Sequence, residues 1–272
     1  AEALAVLAEA TALPSARERA RAAAEDAPVQ LRLHRHTQLW CFFADLQESM
    51  HGFDAARAAY EKMFELRIVT PQSVLTFVSL LEERNHFELS FQAFERGLAL
   101  FHYPHAIELS LPSLTQFVAR YGGPKLEPAR DLFEQALDGC PAESSYEIFV
   151  RYARFEEEHG LARNALSVYD RAATSVEPKR RLDVYEAYLA KAAEFFGVAK
   201  TRDIFEQAID ALPAAHLAPM CERYASLELR LGEMDRARAI FAHGAQEVDP
   251  AASTGQESPY WRVWHDFEVE HG

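Results

Sequence analysis

Apolar side chains recur along the chain at intervals of three and four residues, which places them on one face of an α-helix. Residues 146–178 show the pattern most clearly, in two runs centred on Tyr152 and Tyr169. Gly160 separates the runs and Pro178 follows the second. The pattern predicts two amphipathic helices, and we expect Gly160 to end the first in the left-handed conformation that glycine adopts freely.

The same helix pair recurs along the chain. In five further stretches, a large apolar residue at the centre of one predicted helix is followed by an aromatic residue at the centre of the next. The separation is 17 residues, except that Leu114 and Phe133 are 19 apart. The aromatic residues at these central positions are Phe43, Tyr60, Phe77, Phe94, Phe133, Tyr152, Tyr169, Tyr188, Phe205, Tyr224, Phe241 and Trp264. We interpret them as the core of a repeat structure rather than as a cofactor site.

A two-helix unit of 34 to 39 residues, repeated six and a half times, is typical of an α-solenoid. We predict an all-α, right-handed solenoid that follows a degenerate helical segment at residues 1–36. The predicted repeats are 37–70, 71–104, 105–141, 142–178, 179–213 and 214–250, with a half repeat at 258–272. Since proline disrupts a helix interior, the first helix of the third repeat is expected to begin at or near Pro112.

Charged residues follow the same period. Arginine lies three positions before the second-helix aromatic residue at Arg57, Arg130, Arg202 and Arg238, and glutamate lies one position after it at Glu61, Glu134 and Glu206. Residues four apart share a helical face, so we interpret these as exposed pairs within one helix. Each pair would contribute about 0.2–0.5 kcal/mol.

The overall charge disfavours one class of function. The 272 residues carry a formal net charge of −14, whereas a general nucleic-acid clamp needs a basic surface. Two short basic clusters are candidates for ionic contacts, although exposed, solvated charge is the interpretation we favour for both. Their residues are Arg32, Arg35, Lys179, Arg180 and Arg181.

The cysteines suggest a reducing compartment, and the apolar segments are too short to span a membrane. Cys41, Cys140 and Cys221 form no Cys-x-x-Cys motif, so we expect free thiols, as in the cytosol or nucleus. No apolar run approaches the length of a membrane span. The sequence begins without methionine, and we expect it to be a piece of a longer protein.

No catalytic motif is present. The sequence lacks a glycine-rich phosphate loop, His-Glu-x-x-His and Gly-x-Ser-x-Gly. His102 and His105 could bind a metal only with a third ligand, and none lies near them in the sequence. We therefore predict no catalytic residue, no cofactor, no metal and no small-molecule substrate.

Several longer strings extend the repeat pattern into the turns. The unit of an aromatic residue, glutamate, Ala-Arg-x-Ile-Phe-Glu and a closing proline resembles the half-a-TPR (HAT) repeat. The strings are 26–30 (DAPVQ), 66–72 (LRIVTPQ), 120–123 (RYGG), 125–127 (KLE), 129–135 (ARDLFEQ), 156–163 (EEEHGLAR), 232–240 (GEMDRARAI) and 261–272 (WRVWHDFEVEHG). Together they resemble the Syf-type pre-mRNA-splicing factors, also called the XPA-binding protein family, from residue 26 onward. The sequence departs from that family at residues 110–113 and in the enlarged loop before Pro259.

The resemblance implies a nuclear, non-catalytic scaffold of the NineTeen-type complex that holds splicing proteins and RNA in the activated spliceosome. We expect the contact with RNA to be indirect or peripheral. The resemblance also implies a link to transcription-coupled repair. One alternative is a HAT scaffold of mRNA 3′-end cleavage or of pre-rRNA processing. The other is direct RNA binding by the repeats, which the net charge disfavours.

Overall fold

A computed structural model describes residues 2–12, 33–246 and 259–271, and these residues form helices with no strand. The fourteen helices in this part of the chain are α1 (Glu2–Thr11), α2 (Thr37–His51), α3 (Phe53–Glu65), α4 (Pro71–Glu83), α5 (Phe87–Leu100), α6 (Ile107–Tyr121), α7 (Leu126–Leu137), α8 (Ala142–His159), α9 (Ala162–Ser175), α10 (Arg181–Phe196), α11 (Val198–Ala211), α12 (Ala214–Arg230), α13 (Met234–Gly244) and α14 (Pro259–His271). The prediction of an all-α repeat fold is confirmed. Arg32, most of the segment at 1–36 and the loop before Pro259 lie outside the described residues.

The chain divides into two compact units, residues 1–120 and 121–272. In the first unit, α2 packs on α3 and α4 on α5, around a core that includes Trp40, Tyr60, Phe77 and Phe94. In the second, each helix from α7 to α12 packs on the next along the chain, and α12 also packs on α14. This nearest-neighbour packing is how a repeat array buries apolar faces that one helix pair cannot cover.

The turns between helices use two different properties of glycine. Gly52, Gly197 and Gly232 have φ between +74° and +86°, and Asn85 takes φ +62°. The expectation for Gly160 was wrong, because its φ is −102°. A Cβ at Gly160 would instead overlap the carboxylate of Glu156, whose Cδ would lie 3.0 Å away. Glycine is required there for space rather than for its left-handed conformation.

The prediction that the first helix of the third repeat begins at or near Pro112 is wrong. The helix begins at Ile107 and contains the proline. Leu109, which is fully buried, packs near Gly97 and Val74, and the Ser110 hydroxyl donates to the carbonyl of Ala106 at 2.8 Å. Burial of this first turn offsets the single backbone hydrogen bond that proline removes close to a helix start.

Candidate functional site

The junctions between repeats are marked by stacked aromatic rings. In each described pair, the aromatic residue of a second helix stacks on that of the following first helix, with nearly parallel planes. The pairs and their centroid separations are Tyr60–Phe77 (4.8 Å), Phe133–Tyr152 (4.7 Å), Tyr169–Tyr188 (6.0 Å), Phe205–Tyr224 (4.8 Å) and Phe241–Trp264 (6.4 Å). Phe43 and Trp264 are partly exposed, and the other ten predicted core residues are buried.

Beside three of these stacks, an arginine of the second helix binds a glutamate of the next first helix. Arg130 Nε lies 2.6 Å from Glu156 Oε1, and its Nη2 lies 2.9 Å from Oε2. Arg202 binds Glu228 in the same two-pronged way, at 2.7 Å for both contacts. Arg238 Nε lies 3.0 Å and 3.1 Å from the two oxygens of Glu268. Glu156 and Glu228 are 1% and 0% exposed, so each buried carboxylate is matched by a planar guanidinium.

This arrangement corrects the interpretation of Arg130 and Glu134 as a pair within one helix. Glu134 binds Arg171 of the next second helix, at 2.6 Å and 2.8 Å. The arginine turns to the buried carboxylate of Glu156 because a buried charge without a partner is costly, whereas Glu134 can reach solvent.

Glu61 and Arg202, from the other two predicted pairs, likewise bind partners in the next repeat. Glu61 binds Arg96 at 2.5 Å rather than Arg57, and Arg202 binds Glu228 rather than Glu206. The charged residues of this period therefore connect neighbouring repeats, and Arg130 and Arg238 also bind Glu127 and Asp235 of their own helices.

The junction between α9 and α10 replaces the ion pair by apolar residues. Leu166 occupies the arginine position, three residues before Tyr169, and Ala192 occupies the glutamate position, four residues after Tyr188. Both are buried. Arg57 has no glutamate opposite it in the next repeat. The position that would hold the glutamate is occupied by Leu81, which is buried.

Titration behaviour follows from these contacts. Hydrogen bonding to Glu156, Glu228 and Glu268 raises the pKa of the arginines that bind them, Arg130, Arg202 and Arg238. Hydrogen bonds from Arg171 and Arg238 lower the pKa of Glu134 and Glu268 respectively. Burial raises the pKa of Tyr152 and of Tyr188 to about 12. These groups therefore keep one charge state near neutral pH, as befits structural contacts.

The predicted basic contacts lie apart from these junctions. Arg35 is exposed. Lys179 lies 3.2 Å from Glu177, Arg180 lies 3.2 Å from Asp183, and Arg181 Nε donates to the carbonyl of Val176 at 3.3 Å. The cluster after Pro178 is thus largely neutralised by its own neighbours.

The described part of the chain, residues 2–12, 33–246 and 259–271, carries no sign of metal chemistry or of a membrane span. These residues contain no group of three His, Cys, Asp or Glu side chains that could hold a metal ion. None of their helices is long and apolar enough to cross a membrane. Cys41, Cys140 and Cys221 carry thiols and form no disulfide, as predicted.

The sequence pattern singled out the arginines of these ion pairs but not their glutamate partners. Glu156, Glu228 and Glu268 each follow an apolar residue of the first helix, and they occur in the repeats that come directly after Arg130, Arg202 and Arg238. The occurrence of arginine and glutamate at the same junctions was the sequence signal for their pairing. The junction with Leu166 and Ala192 strengthens this signal, because there both charged residues are replaced by apolar ones.

Comparison with known proteins identifies relatives over the whole chain. Residues 1–272 match the family model of the pre-mRNA-splicing factor Syf1/CRNKL1 C-terminal HAT repeat. The chain is 47% identical to human pre-mRNA-splicing factor SYF1 over 271 residues, which is 100% of this chain and 31% of the relative. It is 45% identical to pre-mRNA-splicing factor cwf3 of Schizosaccharomyces pombe over 243 residues, 89% of this chain and 30% of that protein. The chain therefore spans about a third of the length of these relatives.

Proposed function

Because the chain belongs to the Syf1/CRNKL1 C-terminal HAT-repeat family, we propose that it serves as a non-catalytic scaffold in pre-mRNA splicing, in a nuclear complex of the NineTeen type. The observation that carries the proposal is identity of 45–47% to curated splicing factors over 89–100% of the chain. A role in transcription-coupled repair belongs to the same proposal.

The geometry supports a binding role. Within the second unit, stacked rings hold the second helix of one repeat against the first helix of the next, and arginine–glutamate ion pairs reinforce three of these junctions, so side chains on the packed helices keep fixed separations. A surface of this kind can dock several partners at set distances. The charged residues buried at the junctions are paired with one another, and are therefore not available as catalytic acids or bases.

The net charge of −14 favours protein partners over RNA. RNA contact is therefore proposed to be indirect or peripheral. Direct RNA binding by the repeats is the second class of function, and a HAT scaffold of mRNA 3′-end cleavage or of pre-rRNA processing is the alternative within the same class.

The test is affinity purification of the tagged full-length protein from nuclear extract, with and without RNase, followed by mass spectrometry. The expected result is recovery of spliceosomal and NineTeen-complex proteins that survives RNase, with no recovery by the tag alone. Recovery of cleavage-and-polyadenylation or ribosome-biogenesis factors would replace the function while leaving the fold. Loss of all partners after RNase would favour direct RNA binding.

A further inference from the structure

An open, apolar groove of about 390 Å³ lies between α10, the start of α11, and α12, within the second unit. Ala190, Ala193, Val198 and Leu227 form its apolar walls. Its volume falls in the range of about 300–1,000 Å³ that is usual for ligand sites. Nothing in the buried ion pairs or aromatic stacks requires this space.

Comparison with the preceding junction shows why the groove is open. Glu157 lies five residues after the central tyrosine of α8, and Lys191 lies three residues after the central tyrosine of α10. Their side chains form an ion pair, with Lys191 Nζ 3.2 Å from a carboxylate oxygen of Glu157. The Tyr169 hydroxyl donates to Glu157 at 2.8 Å and anchors the pair. The equivalent positions between α10 and α12 hold Ala193 and Leu227, which are shorter and cannot form an ion pair.

The following junction is closed in another way. Its equivalent positions hold Leu229, on α12, and Phe267, on α14, and both belong to a packed apolar cluster. Among the three junctions compared, one is closed by an ion pair and one by large apolar side chains. The junction between α10 and α12 has neither, because the small side chain of Ala193 leaves the space empty.

The rim of the groove carries one arginine more than it has carboxylates. Arg223, Arg230 and Glu186 all border it, in a chain whose net charge is −14. Arg223 is balanced by Glu186 at 2.7 Å. Arg230 donates through Nε to the carbonyl of Ser226 at 3.2 Å and has no carboxylate within 4 Å among the described residues. The rim can therefore accept a carboxylate from outside.

Exposed apolar side chains lie next to groove-lining residues in the sequence. Val198 is 37% exposed, and Phe196, on the other side of Gly197 from it, is 46% exposed. Leu231, which follows Arg230 in the sequence, is 42% exposed. Large apolar side chains grouped on a surface commonly mark a site of protein contact.

We propose that this groove binds an acidic, amphipathic segment of a protein partner, which inserts one large apolar side chain between Ala193 and Leu227 and places a carboxylate on Arg230. The inference rests on the proposed scaffold function and adds the location and the chemistry of one contact. Side chains that fill a pocket from which water is excluded contribute most of the binding energy in protein interfaces.

The test uses the tagged full-length protein with a photo-crosslinking diazirine residue in place of Ala190, irradiated in nuclear extract. A second sample carries the diazirine in place of Ala199, which is exposed on α11 but does not line the groove. The expected product at Ala190 is a crosslinked peptide that contains a Leu, Ile, Met or Phe with Asp or Glu within one helical turn. A basic peptide, RNA, a second copy of this chain, or no yield above that at Ala199 would overturn the proposal.

A paired variant then tests the groove itself. Ala193→Glu with Leu227→Lys installs the ion pair found at Glu157 and Lys191, and should reduce recovery of the crosslinked partner at least about tenfold. The matched control is Ala199→Glu with Leu161→Lys, which makes the same changes at exposed positions outside the groove. Unchanged recovery with the paired variant would overturn the proposal.

The two proposals fail differently. If the unmodified protein recovers splicing proteins but Ala190 gives no specific crosslink, only the groove proposal is wrong. If the unmodified protein recovers no splicing proteins at all, the scaffold function is wrong.

Discussion

Arg130 and Glu156 lie 26 residues apart in the sequence, yet they form a bidentate ion pair across the junction between α7 and α8. The carboxylate of Glu156 is almost completely buried, with 1% of its surface exposed. An ion pair of this kind contributes little net stability compared with a well-packed apolar pair, but the loss of one partner leaves a charge buried alone.

This asymmetry predicts the outcome of substitution at the pair. Arg130→Leu alone should destabilise the protein by about 3–5 kcal/mol, because Glu156 would remain buried without a partner. Arg130→Leu combined with Glu156→Ala installs the residues found at Leu166 and Ala192, and should cost less than the single change. Urea unfolding followed by circular dichroism measures both. A double variant less stable than the single would contradict the prediction.

Gly160 is predicted to be coupled to the same pair. Gly160→Ala should destabilise the protein by about 1–3 kcal/mol, because the added Cβ displaces the Glu156 carboxylate. The cost should be smaller in the Arg130→Leu, Glu156→Ala background, where that carboxylate is absent. Gly123→Ala is the matched control, since a Cβ there meets nothing within 4 Å. Equal costs in both backgrounds, measured by urea unfolding, would show that the carboxylate is not the cause.

The sequence predicted the helix pairs well because each depends on local periodicity. The spacing of Tyr152 and Tyr169 reports which face of each helix is apolar, and the turns at Gly52 and Asn85 require a left-handed residue. Partner choice depends on three-dimensional proximity instead. Arg130 has Glu134 one turn away, and only packing shows that Glu156 is a nearer partner that is also buried.

The remaining differences have the same origin. Pro112 argued locally for a helix start, but burial of Leu109 extends the helix upstream. The groove beside Ala193 could not be predicted, because an alanine in a helix indicates close packing as readily as a space. The space becomes clear only when this junction is compared with the preceding one, where the side chains of Glu157 and Lys191 occupy the equivalent positions.

The hydroxyl of Tyr169 offers a narrower test of the junction chemistry. Tyr169→Phe installs the ring found at the equivalent position Phe133 and removes the hydrogen bond to Glu157, at an expected cost of about 1 kcal/mol. Tyr169→Ala also removes the stack on Tyr188 and should cost about 3–5 kcal/mol. Thermal or urea unfolding distinguishes these values, and equal costs for the two variants would contradict the stacking interpretation.

Cys221 should not react with thiol-alkylating reagents in the folded protein. It is fully buried, and burial raises the pKa of its thiol to about 11, so little thiolate exists at neutral pH. We expect no labelling of Cys221 by iodoacetamide in native protein, and full labelling in urea. Cys140, which is partly exposed, is the internal comparison. Mass spectrometry of the digested protein identifies each labelled site, and native labelling of Cys221 at the rate of Cys140 would contradict the packing of α12.

The ion pair between Glu134 and Arg171 predicts how stability changes with pH. The hydrogen bond from Arg171 lowers the pKa of Glu134 below its ordinary value of 4.5, so the folded protein holds this proton less tightly than the unfolded chain. The resulting stabilisation is fully present above the ordinary carboxyl range and is lost as the pH falls through the lowered pKa. Glu134→Gln should therefore reduce the loss of stability between about pH 5 and pH 3, as measured by urea unfolding at each pH. Glu147→Gln is the control, because Glu147 is exposed on α8 and has no ion pair among the described residues. A slope of stability against pH that Glu134→Gln changes no more than Glu147→Gln would show that this ion pair does not govern the acid response.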